Sequence, residues 1–239
     1  IEWTANRSVS TNSSLKDSDN SEFLRVVILT GEGKHFCAGA DINMMRDAGS
    51  RSVEENRIDS KRLDKLFYGL WSHPCFTIGF IQGVALGGGA GLVSCLDYVI
   101  GEPKTRIALS EAKLGILPAV IGPYVYRKIG SSNFRRLSMM ASKINSDEAK
   151  AIGLINSIVE SPDEFNDFSL NIISEILSTG PMAVTEAKKL TLTFDRWNGT
   201  DDELREWTLD KTSQMRGSDE GQEGLSSFLE RRKPNWLRE

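Results

Sequence analysis

Hydrophobic and polar positions alternate between two regimes along the chain. From Phe23 to about residue 160, short apolar runs rich in β-branched residues are separated by glycine-rich turns. FLRVVILTG (23–31) and CFTIGFIQG (75–83) have the length and composition of buried strands, and YVIGE (98–102), RIALS (106–110) and LINSIVE (154–160) of shorter ones. Between the first two, Asp59, Leu63, Leu66, Phe67, Leu70 and Trp71 fall on or near one helical stripe over 56–71, which His73-Pro74 ends. VALGGGAGLVSCLD (84–97) passes from glycines into a short apolar helix. Residues 124–129 and 133–141 read as helical. Asn145-Ser146-Asp147-Glu148 caps a further helix that ends before Gly153. From Phe165 onward the pattern is almost wholly helical: Pro181 suits a first helical position, Thr200-Asp201-Asp202-Glu203 forms a capping box, and EGLSSFLERRKPNW reads as an amphipathic helix with a basic tail.

This order predicts an α/β core of strand-strand-helix units over 1–180 and a helical region over 181–239. Residues 7–22 are polar and irregular and read as a loop-like lead-in.

Composition narrows the function. The chain has 239 residues, 39% apolar and 26% charged, as in ordinary globular proteins. Its net charge of −4 lacks the basic excess expected of a nucleic-acid binder. No apolar run has the length of a membrane span, and IEWTANRSVSTNSS lacks a secretory leader, so a cytoplasmic protein is expected. Cys37, Cys75 and Cys95 form no metal or disulfide spacing and read as reduced thiols. His35 and His73, the only two histidines, sit in no nucleophile-elbow context, and His35 reads as a loop residue.

Three places carry candidate chemistry. Gly83, Gly87, Gly88, Gly89 and Gly91 crowd the start of a helix, where free amides attract negative charge. Neither the dinucleotide fingerprint nor the P-loop pattern is met, and tight strand–helix packing is the alternative reading. FCAGAD (36–41) is a second loop of small residues after a strand; two such loops can aim two amides at one developing oxyanion. Glu111, between apolar segments, suits acid–base work at a raised pKa, or is simply a helix N-terminal glutamate. Asp97 reads as a cap or turn residue, and Arg231-Arg232-Lys233 as a solvated helix end that can also meet a phosphate.

RVVILTGEGKHFCAGADI, IQGVALGGGAGLVSCLDYVIGE, ALSEAKLGILPAVIGPYV and EGLSSFLERRKPNW, in this order, resemble the crotonase (enoyl-CoA hydratase/isomerase) superfamily. The resemblance implies a spiral of strand-strand-helix turns, a C-terminal helical trimerisation region, a trimer or hexamer, acyl-CoA thioester substrates, and no metal or redox cofactor. It implies an oxyanion hole from the amides of Ala40 and Gly88, contact of CoA with Ala38, Ala40, Asp41 and Ile42, and Glu111 as the catalytic acid/base. Trp207, Leu204, Met215, Leu225, Phe228 and Leu229 supply apolar surface for the expected interface.

Two departures qualify what the resemblance implies. The best-known hydratases carry a second glutamate three residues after the middle glycine of the GGG run, and here that residue is Gly91. A single glutamate leaves water addition, double-bond migration and a noncatalytic acyl-CoA-binding role as alternatives. The wording SEAKLGILPAVIGPYV looks like a branch associated with 3-methylglutaconyl-CoA hydration in leucine breakdown. The second departure is at the front. Only 24 residues precede Arg25 and the family's hairpin stretch is missing, so a gap is expected near Thr11–Asn12, with IEWTANRSVST as first strand and NSSLKDSDNSEF as a helix tail.

Overall fold

The computed structural model describes residues 24–237. The lead-in over 7–22, and the strand and helix tail expected before Arg25, lie outside the described residues. The described chain forms two compact units: one of 27–73 with 77–168, the other of 169–237 with 24–26 and 74–76.

In the first unit, successive strands feed two sheets. β1 (Val26–Thr30), β2 (Phe76–Ile81), β4 (Tyr98–Gly101) and β7 (Ser157–Ile158) form one, in that spatial order. β3 (Val84–Leu86), β5 (Arg106–Ala108) and β6 (Ile144–Asn145) form the other. β2 pairs with β4 and β3 with β5, both in parallel, in the registers Ile78↔Tyr98 and Val84↔Arg106. The chain therefore places one strand in each sheet, crosses by a helix and repeats: the expected spiral. Parallel strands need such crossovers and lie buried on both faces, which is why FTIGFI reads as a continuous apolar run.

The crossover helices meet over this core. α2 (Val53–Trp71) begins with the capping box Ser52/Glu55 and buries Phe67. α3 (Gly88–Cys95) is buried along nearly its whole length. α4 (Gly122–Met140) is broken at Gly130 (φ 75°, ψ 168°), which accounts for its two-part apolar pattern. Asn145 caps α5 (Ser146–Ala151), its side chain accepting from Glu148 N at 2.8 Å. Ile81, Val93, Val99, Ile107, Leu137 and Leu154 are among the side chains of one continuous core.

Four local expectations change. Val84–Leu86 is a strand in its own right, too short for a two-residue period to register in sequence. LINSIVE is mostly not strand, because the amides of Leu154 and Ile155 turn back to Ala149 O at 2.9 and 3.2 Å. A short helix, α1 (Ile42–Ala48), follows the FCAGAD loop, nucleated by the Asp41 side chain. The C-terminal helix stops at Leu229 instead of running into the basic tail. There Glu223 accepts from both terminal nitrogens of Arg232 (2.6 and 2.8 Å) and from Asn235 N (2.7 Å), folding the tail back. These bonds hold the Glu223 carboxyl down to about 2.

The second unit carries the rest of α6 (Phe165–Ser178) with α7 (Pro181–Phe194), α8 (Asp201–Gly217) and α9 (Asp219–Leu229). Pro181 opens α7 as its sequence position predicts, and Glu220 caps the exposed amides of Met182 and Ala183 at 2.8 Å each. Arg25 binds the end of α6, donating to Ile176 O at 2.9 Å and Thr179 O at 2.7 Å. Leu225, Phe228 and Leu229 are exposed, the last two at 83% and 79%, whereas Leu204, Trp207 and Met215 are half-buried within the unit. Among the described residues, no helix is long and apolar enough to cross a membrane.

Candidate functional site

The FCAGAD loop is laid alongside β3 by backbone hydrogen bonds. Phe36 N donates to Gln82 O (2.8 Å), Cys37 N to Val84 O (3.0 Å) and Leu86 N to Cys37 O (3.0 Å), making a parallel bridge from Cys37 to Ala85. His35 adds a side-chain bond to this seam, its Nδ1 accepting from Val84 N at 3.3 Å. The histidine is thus a splint between the two loops, a role that no sequence spacing announces. Past Cys37 the chain emerges, and Ala38 and Ala40 are exposed. Asp41 spends its carboxylate on capping α1, accepting from Asn43 N (2.8 Å) and Met44 N (3.3 Å). Ile42 is 56% exposed.

The glycine run does two jobs. Gly87 turns the chain from β3 into α3 at φ 53°, ψ −115°, in the region that disfavours any Cβ. Its amide is fixed on Ala108 O (2.9 Å) and its carbonyl accepts the first helical bond, from Gly91 N (3.1 Å). The next amide, Gly88 N–H, opens the helix and has no intrahelical acceptor. Gly89 then lies so close to Cys37 that a Cβ would come within 2.8 Å of the Cys37 Cβ. The small residues therefore clamp the two amide-bearing loops together.

Glu111 arrives at the same place from β5, as the first residue of a 3-10 turn over Glu111–Leu114. Its Oε1 lies 3.2 Å from where a Cβ on Gly87 would stand. Its Oε2 is buried and has no hydrogen-bond partner among the described residues. Burial pushes the carboxyl above the usual carboxylate range, opposed by a backbone hydrogen bond. Buried acceptors in folded proteins are nearly always paired, so an unpaired carboxylate oxygen beside the opening of α3 makes this place the candidate site. The structure brings Glu111 to the glycine run and sews the FCAGAD loop to the strand before it. It keeps Asp97 elsewhere: the Asp97 carboxylate accepts from Thr77 N and Thr77 Oγ1 at 2.8 Å each, a cap between β2 and β4.

Gly87→Ala combines positive-φ strain with pressure on the Glu111 carboxylate. It is expected to cost about 1–3 kcal/mol of stability, read as a lowered midpoint in urea.

Residues 6–239 match the sequence profile described as enoyl-CoA hydratase/isomerase. A curated crotonyl-CoA hydratase from Syntrophomonas wolfei is 31% identical over 217 residues, covering 90% of this chain and 81% of the relative. A short-chain-enoyl-CoA hydratase from Clostridium acetobutylicum is 30% identical over 222 residues, covering 90% and 81%. The crystal structure of an enoyl-CoA hydratase from Shewanella pealeana superposes with a TM-score of 0.84 at 34% identity, covering 89% of this chain and 78% of that one. The spiral of paired strands, the profile over nearly the whole chain and named hydratases at this identity agree: the chain belongs to the enoyl-CoA hydratase/isomerase family of enzymes, the crotonase superfamily.

Proposed function

We propose that this enzyme adds water to a 2-enoyl-CoA thioester, with Glu111 as its single acid/base and the amides of Ala40 and Gly88 as the oxyanion hole. The observation that carries the reading is the buried, unpartnered Glu111 Oε2 beside the opening of α3. The thioester oxygen lies between the two amides. Ionised Glu111 takes a proton from water as the water oxygen bonds to the β-carbon, and the electron pair of the double bond moves through the α-carbon toward the thioester oxygen. The amides stabilise that enolate-like state, each donor supplying about 2.7–4 kcal/mol. Glu111, now neutral, returns the proton to the α-carbon, so one H and one OH are added and the carboxylate is regenerated. Burial raises its pKa, the direction that makes the carboxylate a stronger base toward water. No resident cofactor enters; coenzyme A is part of the substrate, with its adenine against the backbone of Ala38, Ala40, Asp41 and Ile42. The finer assignment is 3-methylglutaconyl-CoA as the acyl group, supported by the motif wording around Glu111.

Double-bond migration is the second reading, and Gly91 favours it: a site with one carboxylate can shuttle a proton from one carbon to another. A mass-spectrometric assay with crotonyl-CoA, 3-methylglutaconyl-CoA and a 3-enoyl-CoA separates the two. Gain of one water is the expected result. An unchanged mass with a moved double bond assigns the enzyme as an isomerase, and binding of all three without reaction leaves only an acyl-CoA-binding role.

The same reading includes assembly as a trimer or a pair of trimers in the cytoplasm. Its support is the apolar surface of α9, where Leu225, Phe228 and Leu229 are exposed. Light scattering at working concentration should give the mass of three or six chains, and a monomer would contradict it.

A further inference from the structure

The helix that opens with the glycine run shows a bare face to its neighbours. Gly88 and Gly91 stand three residues apart on α3 and so share a side. A Cβ at Gly88 would sit 3.8 Å from Phe67 Cζ, an ordinary contact. At Gly91 there is no room: a Cβ would stand 2.8 Å from Ile121 Cβ, closer still to its Cγ2, and 3.0 Å from Phe67 Cε1. Phe67 and Ile121 are themselves 1% and 4% exposed. The volume beyond Gly91 is therefore filled with hydrocarbon, brought in from α2 on one side and from the head of α4 on the other. Ile121 comes from the same connection that carries Glu111 at its start. One segment thus carries both the acid that reaches Gly87 and the apolar plug at Gly91, one helical turn further along α3.

We propose that Ile121 determines the reaction specificity of this site: it fills the space beside Gly91, denies the substrate a second proton-handling group and routes every proton through Glu111. The inference rests on Glu111 acting as the acid/base. Water addition and double-bond migration both place negative charge on the thioester oxygen, and they differ in whether a water is held and deprotonated at the β-carbon. In addition, the O–H bond of water breaks, C–O forms at the β-carbon and C–H at the α-carbon. In migration of a 3-enoyl substrate, Glu111 takes a proton from the α-carbon, the double bond shifts from the β,γ to the α,β position, and the proton is returned at the γ-carbon, with no water consumed. Hydrocarbon beside Gly91 neither orients a water nor accepts its proton, and a charged group is excluded there unless the hydrocarbon is removed.

The test is Gly91→Glu combined with Ile121→Gly, which exchanges the plug for a carboxylate of comparable bulk. The readout is the ratio of water addition to double-bond migration, followed in ¹⁸O-labelled water with crotonyl-CoA and a 3-enoyl-CoA. The ratio should rise by about tenfold over the wild type, a conservative share of what one positioned acid–base group supplies. Gly91→Glu alone should lower Tm without that rise, because Ile121 remains in its way. An unchanged ratio in a folded double variant overturns the proposal. If the double variant does not fold, Ile121→Ala titrated with formate decides, since formate is a small carboxylate able to enter the hole. A formate-dependent rise absent from the wild type supports the role of Ile121, and its absence overturns it. Failure of the underlying reading is distinct: it would show as turnover that survives Glu111→Gln.

Discussion

Glu111→Gln should abolish turnover while leaving the protein more stable at neutral and alkaline pH. The amide keeps the shape of the carboxyl and its contact with Gly87, but it cannot take a proton from water. The expected loss in kcat is about 10²–10⁴-fold, with acyl-CoA binding retained because the amides proposed for the oxyanion hole and the backbone proposed to meet CoA are untouched. The stability effect follows from linkage. Burial raises the carboxyl's pKa in the folded chain above its unfolded value, so the neutral form is favoured by folding. That contribution is complete below the unfolded pKa and is lost as pH rises through the folded one. Glutamine is neutral throughout and loses nothing. Because the side chain is only half-buried, solvent screening keeps the gain to about 1 kcal/mol, or roughly 2–4 °C in Tm for a chain of this size. Thermal melts at pH 4, below the ordinary glutamate pKa, and at pH 8 should therefore converge at the acid end and diverge at the alkaline end. Substantial hydration by the variant would remove Glu111 from the mechanism.

A gain in stability on removing a functional group is what a strained site predicts, and the sequence points to that strain only in part. The apolar segments flanking Glu111 are enough to expect a raised pKa, because desolvation depends on what the neighbours are made of. That Oε2 lacks any partner among the described residues is not legible there, since partners are set by tertiary placement. β2 and β4 stand out because they pair in parallel and are buried nearly along their whole length, whereas Val84–Leu86 does not, being only three residues long. The capping signals at Asn145, Pro181 and Thr200 are reliable because they act within one turn of the helix they start. The end of α9 escapes a local reading because its terminator is Glu223 reaching forward to Arg232 and Asn235, a contact across nine and more residues. Phe67 is legible only as part of a helical stripe, and Ile121 only as an apolar residue. What makes them matter is the missing side chain at Gly91, so the informative residue is the one with nothing attached.

The same architecture makes the backbone itself testable. Gly88→Pro should lower kcat/KM by about 10²–10³-fold without unfolding the enzyme. Gly88 is the first residue of α3, and proline is welcome there: its fixed φ is already helical and the N–H it lacks had no helical partner. The substitution removes one hydrogen from the proposed oxyanion hole and leaves Glu111 in place. A proline ring also meets ordinary space on the Cβ side, where Phe67 is 3.8 Å away. Because that donor acts on charge developing in the transition state, the loss should fall mainly on kcat, with substrate binding less affected. Far-UV circular dichroism like that of the wild type would establish that α3 is retained. Gly88→Ala, which keeps the amide, is the matched control and should stay within about tenfold of the wild type, since helical φ at this position accepts a Cβ. If both variants lose activity equally, the cause is crowding against Phe67 and not the missing donor. If neither loses it, the negative charge of the transition state is held by amides other than that of Gly88.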